Sequence, residues 1–457
     1  MRKEKGIALV MATFTVALIA AFMASFITVV NSRGALIDTY ESVAQARYAA
    51  ESGLEEVKNY IRTSAYNAGG NAWLDSHSSP GGFLAIDNLM IDNIRVDVTI
   101  TGLANGWHRV LATAQTPTLN SSALFEVRGR DSFSRYMFFT ENDDINIGAT
   151  AVHGDVHSNR KVNFSDGGAK MYDDVTAVQG IGFNSGANSG NTTFYGDVNG
   201  YAAPVPWPNT TEISALDSSA SGVYQVSNSS PEYSAFATFN TEIEFSGNTV
   251  TITAKNKTTG AVLKTGNYPL PANNLIFVQN DVTSIKGDIS GRVTVATLGK
   301  IDVTGKIRYQ DNEGDRAYLL KRYGAVVDPD STGTLAWTEA NGFTYELNPD
   351  YNPTVPSVVG LMAQNDITIV PAASYNMEFH ASTFSSHGNW HCDLTQNKGN
   401  LRVLGSMTQK TKGWRYNASG KGWAKSGEYV YDSNLLAYPP DYYLEVNTPS
   451  FGAWCRN

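Results

Sequence analysis

Cysteine is nearly absent from this sequence: Cys392 and Cys455 are the two in 457 residues, and neither has a second cysteine at the spacing of a zinc or dithiol redox site. Charge is also sparse, at 17% of residues, and the formal net charge of -9 gives no basic field to collect phosphates. Lysine and arginine are scattered rather than striped along any segment, which excludes a nucleic-acid partner. No GxSxG, P-loop, HExxH or dinucleotide fingerprint occurs, so the common hydrolase, nucleotidase, metalloprotease and dehydrogenase sites are not written in the chain. Glycine (41) and tyrosine (23) are plentiful, with many Asn, Ser and Thr, a balance that favours turn-rich β structure over helical bundles. A chain of this length predicts two or three domains.

One segment runs against this composition. After MRKEKG the chain carries no charge from Ile7 to Val30, and only Thr13, Thr15, Ser25 and Thr28 interrupt the apolar residues. As a helix this stretch is about 36 Å long, enough to cross a hydrocarbon core of about 30 Å. Arg2, Lys3 and Lys5 precede it, so the leader is expected on the cytoplasmic side and the remainder outside. A secretory signal would lose its helical pattern after the apolar core. Here Leu36, Tyr40, Val43, Arg47, Ala50, Leu54, Val57 and Ile61 continue at steps of four and three, predicting one helix from Ile7 to about Arg62.

Beyond a Gly, Asn and Ser-rich linker at 64–82, IDNIRVDVTITG, HRVLATAQT and SALFEVRGR alternate as strands of a small antiparallel sheet ending near Arg130. From Asp131 the pattern becomes short apolar runs broken by Gly, Asp and Asn, as in INIGATAVHGDVHSN, GKIDVTGKI, VGLMAQNDITIV and LRVLGSM. Such repeated runs predict rungs of a parallel β-helix, with a β-sandwich as the alternative. The expected class is therefore α+β, with domains at 7–130 and 131–457 and an insertion between rungs at about 204–271.

The leader ending in Gly6, the apolar helix that starts at Ile7 and the stretch ARYAAESGLEEV resemble type IV pilins, most closely PilX-class minor pilins and the tip pseudopilins of type II secretion. The resemblance implies cleavage by a prepilin peptidase between Gly6 and Ile7, N-terminal methylation, and packing of the helix among other pilin subunits. It also implies an inner-membrane location, C-terminus outside, followed by a pilus or cell-surface one. Major pilins begin with phenylalanine and carry a glutamate as fifth mature residue; this chain has Ile7 and Met11, as in minor, tip-located subunits. FSRYMFF, HGDVHSN, GLMAQNDITIV, LRVLGSM and YDSNLLAYPPDYY resemble an uncharacterised bacterial domain that follows PilX-like N-termini, which implies an extracytoplasmic structural or adhesive role, with a surface ligand or glycan as possible partner.

Several constellations could carry chemistry. DPDSTGTLAWTE places Asp328, Asp330, Thr332, the Thr334 carbonyl and Glu339 at the offsets of an EF-hand-type loop, with Gly333 at its bend, so Ca2+ is a candidate ligand beside a plain turn. His153, Asp155 and His157 alternate and would share one face of a strand, and His387, His391 and Cys392 form a second cluster; ordinary hydrogen bonding at turns is the competing reading. Cys392 and Cys455 would form one disulfide in an exported chain, contributing roughly 4 kcal/mol by the chain-entropy model, or remain thiols. A membrane-tethered carbohydrate-active enzyme is the alternative to the structural reading. It would need paired carboxylates, for which Asp281, Asp288 and Asp302 are candidates, and sugar platforms among Trp207, Trp337, Trp390, Trp414 and Trp423. The favoured reading has no catalytic residue.

Overall fold

The structure, a computed structural model, describes residues 2–68, 83–102, 108–116, 120–128, 131–165, 168–184, 191–208, 211–310, 318–322, 325–327, 343–347, 356–393, 395–414, 419, 421–423, 426–446 and 450–456. The chain forms two compact units, one of residues 1–130 and 448–457, the other of residues 131–447.

The first unit is built on a single helix, Arg2–Ala68, about 100 Å long at 1.5 Å per residue. It carries an antiparallel sheet of five strands in the order Phe83–Ile91, Ile94–Gly102, His108–Gln115, Asn120–Arg128 and Ser450–Arg456. The stretch IDNIRVDVTITG is not one strand: Asp92 and Asn93 take φ of 48° and 65°, the paired left-handed conformation that turns a two-residue hairpin. The last strand comes from the end of the chain, which the alternation pattern assigned to the second domain; it pairs antiparallel with Asn120–Arg128.

Every second residue of the central strands points at the helix, as the period of two requires. Val96, Val98, Ile100, Val110, Ala112 and Ala114 are buried against Ala46, Ala49, Ala50, Leu54, Val57 and Ile61. Small residues let the two elements approach closely; a Cβ on Gly53 would lie 2.7 Å from the Val96 Cγ1. The helix seam therefore starts at Ala46. Leu36, Tyr40 and Val43, which share its spacing, stay exposed because the sheet does not reach them.

In the second unit most strands pair in parallel with a strand one turn later in the chain, commonly 19 to 24 residues on. One ladder runs through Leu275–Val278, Arg292–Thr297, Val358–Ala363, Met377–Ser385 and Asn400–Gln409. Another runs through Phe239–Gly247, Val282–Ile289, Ile301–Tyr309, Ile367–Ile369 and Trp390–Cys392.

The chain enters this stack in the middle. Phe138–Thr140 pairs on one side with Met407–Gln409 and on the other with Val156–Ser158, so turns wind outward from 138 to 199. The chain then returns along the outside and re-enters at the far end, where Gln225–Val226 pairs with Phe277–Val278. The returning segment covers the outer face of the first ladder: Trp207, Ile213, Leu216 and Ala220 pack with Phe139, Phe277, Ala296, Met362 and Phe384. Leu275–Val278 and Val358–Ala363 are accordingly buried at every position, which is why they read as continuous apolar runs.

The stretch 204–271 is thus not one insertion. Its first part covers the sheet, Gln225–Val226 and Phe239–Gly247 belong to the parallel ladders, and Thr249–Asn256 with Val262–Pro269 adds an antiparallel hairpin at that end. The longer interruption lies at 310–356, where Tyr318–Arg322, Ala325–Val327 and Phe343–Leu347 form a separate antiparallel sheet.

Candidate functional site

The N-terminal helix holds two environments in one element. Met11, Phe14, Leu18, Phe22, Met23, Phe26, Ile27 and Val30 are exposed, and they do not confine themselves to one stripe. An 18-residue window here reaches a mean hydropathy of 2.2 with none of it buried, long and apolar enough to cross a membrane. Three hydroxyls in this half close onto the helix itself: Thr15 and Thr28 donate to the carbonyls of Met11 and Ala24 at 2.8 and 2.9 Å, and Ser32 donates to Val29 at 2.9 Å. Hydroxyls closed in this way cost little in apolar surroundings. Among the described side chains, ion pairs join Arg47 to Glu51 at 3.2 Å and Lys58 to Glu55 at 3.3 Å. Gly6 and Ile7 lie on helical backbone within Arg2–Ala68.

Asp328, Asp330, Thr332, Thr334 and Glu339, proposed from spacing to hold Ca2+, lie outside the described residues, as does Trp337. Cys392 is buried on the strand Trp390–Cys392 of the second unit, while Cys455 belongs to a strand of the first unit and its side chain is outside the described set.

His153, Asp155 and His157 do not share one strand face. Gly154, at φ 109°, turns the chain between the strands Ala151–His153 and Val156–Ser158; a Cβ there would lie 2.4 Å from that of Tyr431. His153 is fully buried and stacks on Tyr172 at 4.0 Å, which stacks on Tyr195 at 4.9 Å, one ring per turn. Burial holds the His153 pKa down at about 3, so the ring is neutral. His157 Nε2 donates to Asn159 Oδ1 at 3.0 Å, leaving Nδ1 to accept from the Thr176 hydroxyl at 2.8 Å. Burial lowers its pKa too, with Arg135 acting in the same direction and the Asn159 bond opposing.

The Asp155 carboxylate accepts the backbone N–H of Asp174 at 3.4 Å, and Asp173 accepts that of Gly154 at 2.6 Å. Burial pushes the Asp173 carboxyl up to about 6, with the Gly154 bond opposing. In the other cluster His387 Nδ1 meets the Ser386 hydroxyl at 3.1 Å and His391 Nε2 meets that of Thr368 at 3.4 Å. Among the described residues no three His, Cys, Asp or Glu side chains gather closely enough to hold a metal.

The carboxylates proposed for sugar chemistry are each tied to a neighbour. Asp281 accepts the Lys300 N–H at 3.1 Å, Asp288 takes a two-pronged bond from Arg308 at 2.7 Å, and Asp302 pairs with Lys300 at 2.7 Å. Asp288 and Arg308 line an open trough of about 530 Å³ with Glu244, Lys286 and Lys306. The tryptophans divide by environment. Trp390 and Trp423 are buried and Trp207 is half-buried against Phe139 and Phe384, whereas Trp414 is exposed, carries the Lys412 ammonium 3.5 Å from its ring centre, and borders a cleft of about 290 Å³ with His391, Cys392 and Asp393.

Sequence reasoning missed the aromatic column and the aspartate column at the turn corners, since each is visible only once the turn length is known. No family model matches the chain, and no curated protein matches it. Among solved structures, the competence-associated pilin ComZ from Thermus thermophilus aligns over 91% of this chain and 97% of its own, at 12% identity and a TM-score of 0.35.

Proposed function

We propose that this chain is a structural subunit of a type IV filament or related secretion system, a minor pilin or pseudopilin whose large parallel unit is carried outside the membrane and, at a filament tip, serves adhesion. The observation that supports this most is the division of one helix: an apolar half exposed on several sides, and a half from Ala46 to Ile61 that buries its seam on an antiparallel sheet. An apolar rod projecting from a folded head suits both lateral escape from a bilayer and packing among like helices. The uncharged run from Ile7 to Val30 behind Arg2, Lys3 and Lys5 supports inner-membrane insertion with the head outside. Gly6 and Ile7 supply the junction at which a prepilin peptidase would cut.

The charge pattern of the parallel unit supports a non-catalytic role. Asp281, Asp288 and Asp302 are held by Lys300 and Arg308 rather than facing one another as an acid and base pair. Mass spectrometry of the amino terminus tests the processing step. Protein from a host with the peptidase is expected to begin at Ile7, and protein from a host lacking it at Met1; Met1 in both would remove the mechanism by which the subunit leaves the membrane.

A further inference from the structure

The ladder that runs through Ile301–Tyr309, Ile367–Ile369 and Trp390–Cys392 loses its strand form at the following turn, residues 411–414. The backbone is nevertheless pinned there. The Thr411 N–H donates to the Gly388 carbonyl at 3.1 Å, the Lys412 N–H donates to the Asp143 carboxylate at 2.9 Å, and the Trp414 carbonyl accepts the Cys392 N–H at 2.8 Å. Between the strand and this turn lies the cleft of about 290 Å³, lined by Asn389, His391, Asp393, Lys412 and Trp414 among others. Its size is close to the lower limit of small-molecule sites, with room for a small ring and not for a folded partner.

Three side chains of this cleft each keep a polar atom that is closed to water and has no hydrogen-bond partner: Asn389 at Oδ1, His391 at Nδ1 and Lys412 at Nζ. The other ring nitrogen of His391 meets the Thr368 hydroxyl. An unmet buried donor or acceptor is costly, and an unmet ammonium more so. With no acceptor, the Lys412 ammonium rests on the Trp414 ring, 3.5 Å from its centre. Burial pulls this ammonium down to about 8, with the carboxylates of Asp143 and Asp144 opposing. Trp414 itself is 56% exposed, a flat apolar surface that the fold leaves in water.

We propose that this cleft binds a neutral saccharide, one sugar ring lying on the Trp414 indole while its hydroxyls meet Asn389, His391 and Lys412. Donors and acceptors stand side by side here, and a hydroxyl answers both, whereas an apolar ligand would leave them unmet. An anion would meet the field of Asp143, Asp144 and Asp393, and a cation that of Lys412. The apolar face of a sugar ring suits the indole and takes the place that the ammonium now holds on it, while the ammonium gains the hydroxyl oxygens it lacks. Rotation of side chains provides this exchange, since the backbone at 411–414 is pinned. The inference rests on the adhesive role proposed above and gives it a ligand class.

The test titrates the full chain, in a detergent without a sugar headgroup, with neutral disaccharides of glucose, galactose, mannose and N-acetylglucosamine and with an acidic uronate disaccharide. Saturable binding of a neutral member is expected, weakened about tenfold or more by Trp414→Ala and by Lys412→Met. In the unaltered protein the bound sugar should shield Trp414 from hydroxyl-radical oxidation, read at that residue by mass spectrometry, so the result does not depend on either variant folding. Absence of saturable binding across the neutral set, preference for the uronate, binding indifferent to both substitutions, or binding that leaves Trp414 unshielded overturns the inference. Processing at Ile7 is read separately at the amino terminus, so a failure to bind sugar strikes the cleft and leaves the filament reading to its own test.

Discussion

The two units store their fold information in different ways. In the first, partners are fixed by periodicity along each element: a step of two places Val96, Val98 and Ile100 inward, and steps of three and four place Ala46, Ala50, Leu54 and Val57 against them. In the second, a residue is matched to its like one turn later: Val156 to Val175 to Val198, His153 to Tyr172 to Tyr195, Ser382 to Ser406. Periodicity sets a face, whereas stacking of like on like sets a register between segments far apart in the chain. Stability in the first unit should therefore concentrate in one seam, and in the second it should be spread along columns.

The largest expected effect tests the seam. Leu54 is fully buried where the helix meets the sheet, and Leu54→Ala should cost about 2–5 kcal/mol of unfolding free energy for the first unit. Phe22, larger but 69% exposed on the same helix, should leave that value unchanged when replaced by alanine. Denaturant unfolding of both variants in detergent separates the two halves of the helix. A comparable loss from Phe22→Ala would mean that the apolar half also packs on the subunit's own head.

Much of this architecture is legible from residues alone, and the failures share a cause. The helix and its change of character can be read from Ile7 onward because both signals are local. Where the seam begins is not legible, because the spacing that runs on from Leu36 shows which face is apolar but not how far the sheet extends along it. The alternation across IDNIRVDVTITG hides the turn at Asp92 and Asn93, although adjacent Asp and Asn are a turn signal. Parallel stacking was suggested by apolar runs such as VGLMA, yet the entry of the chain in mid-stack was not, because Phe138 pairs with Met407 across most of the unit. The alternation of His153, Asp155 and His157 pointed to a shared face that Gly154 abolishes.

The next effect concerns pH and sharpens the contrast between a buried column and an exposed helix. His153 keeps a folded-state pKa near 3 against 6.5 when unfolded, so the unfolded chain binds the extra proton first. Stability conferred by the neutral ring is complete above about pH 6.5 and is lost as pH falls toward 3. Asp173 acts in the opposite sense: a carboxyl raised to about 6 contributes stability that is complete below its unfolded value of 3.8 and is lost as pH rises through about 6. The difference between wild type and His153→Phe isolates the histidine, because phenylalanine keeps the stack on Tyr172 without titrating. His153→Phe should gain roughly 3 kcal/mol on wild type between pH 7 and pH 4, read from denaturant midpoints. A difference that stays flat over this range would mean that the ring charges in place.

The smallest effect lies on the outer surface of the same unit. Lys286 and Glu244 sit on neighbouring turns, 3.4 Å apart, with side chains 43% and 58% exposed. Water and salt screen such a pair, and ordering two long side chains offsets much of the attraction. If the columns inside set the register, a double-mutant cycle of Lys286→Ala and Glu244→Ala should give a coupling below about 1 kcal/mol at low salt and close to zero in about 1 M salt. By contrast Ile285, the buried neighbour of Lys286 on the same strand, should lose about 2–5 kcal/mol on replacement by alanine. A coupling for the charged pair that rivals the Ile285 loss and survives salt would show that the outer charges, and not the stacked interior, hold successive turns in step.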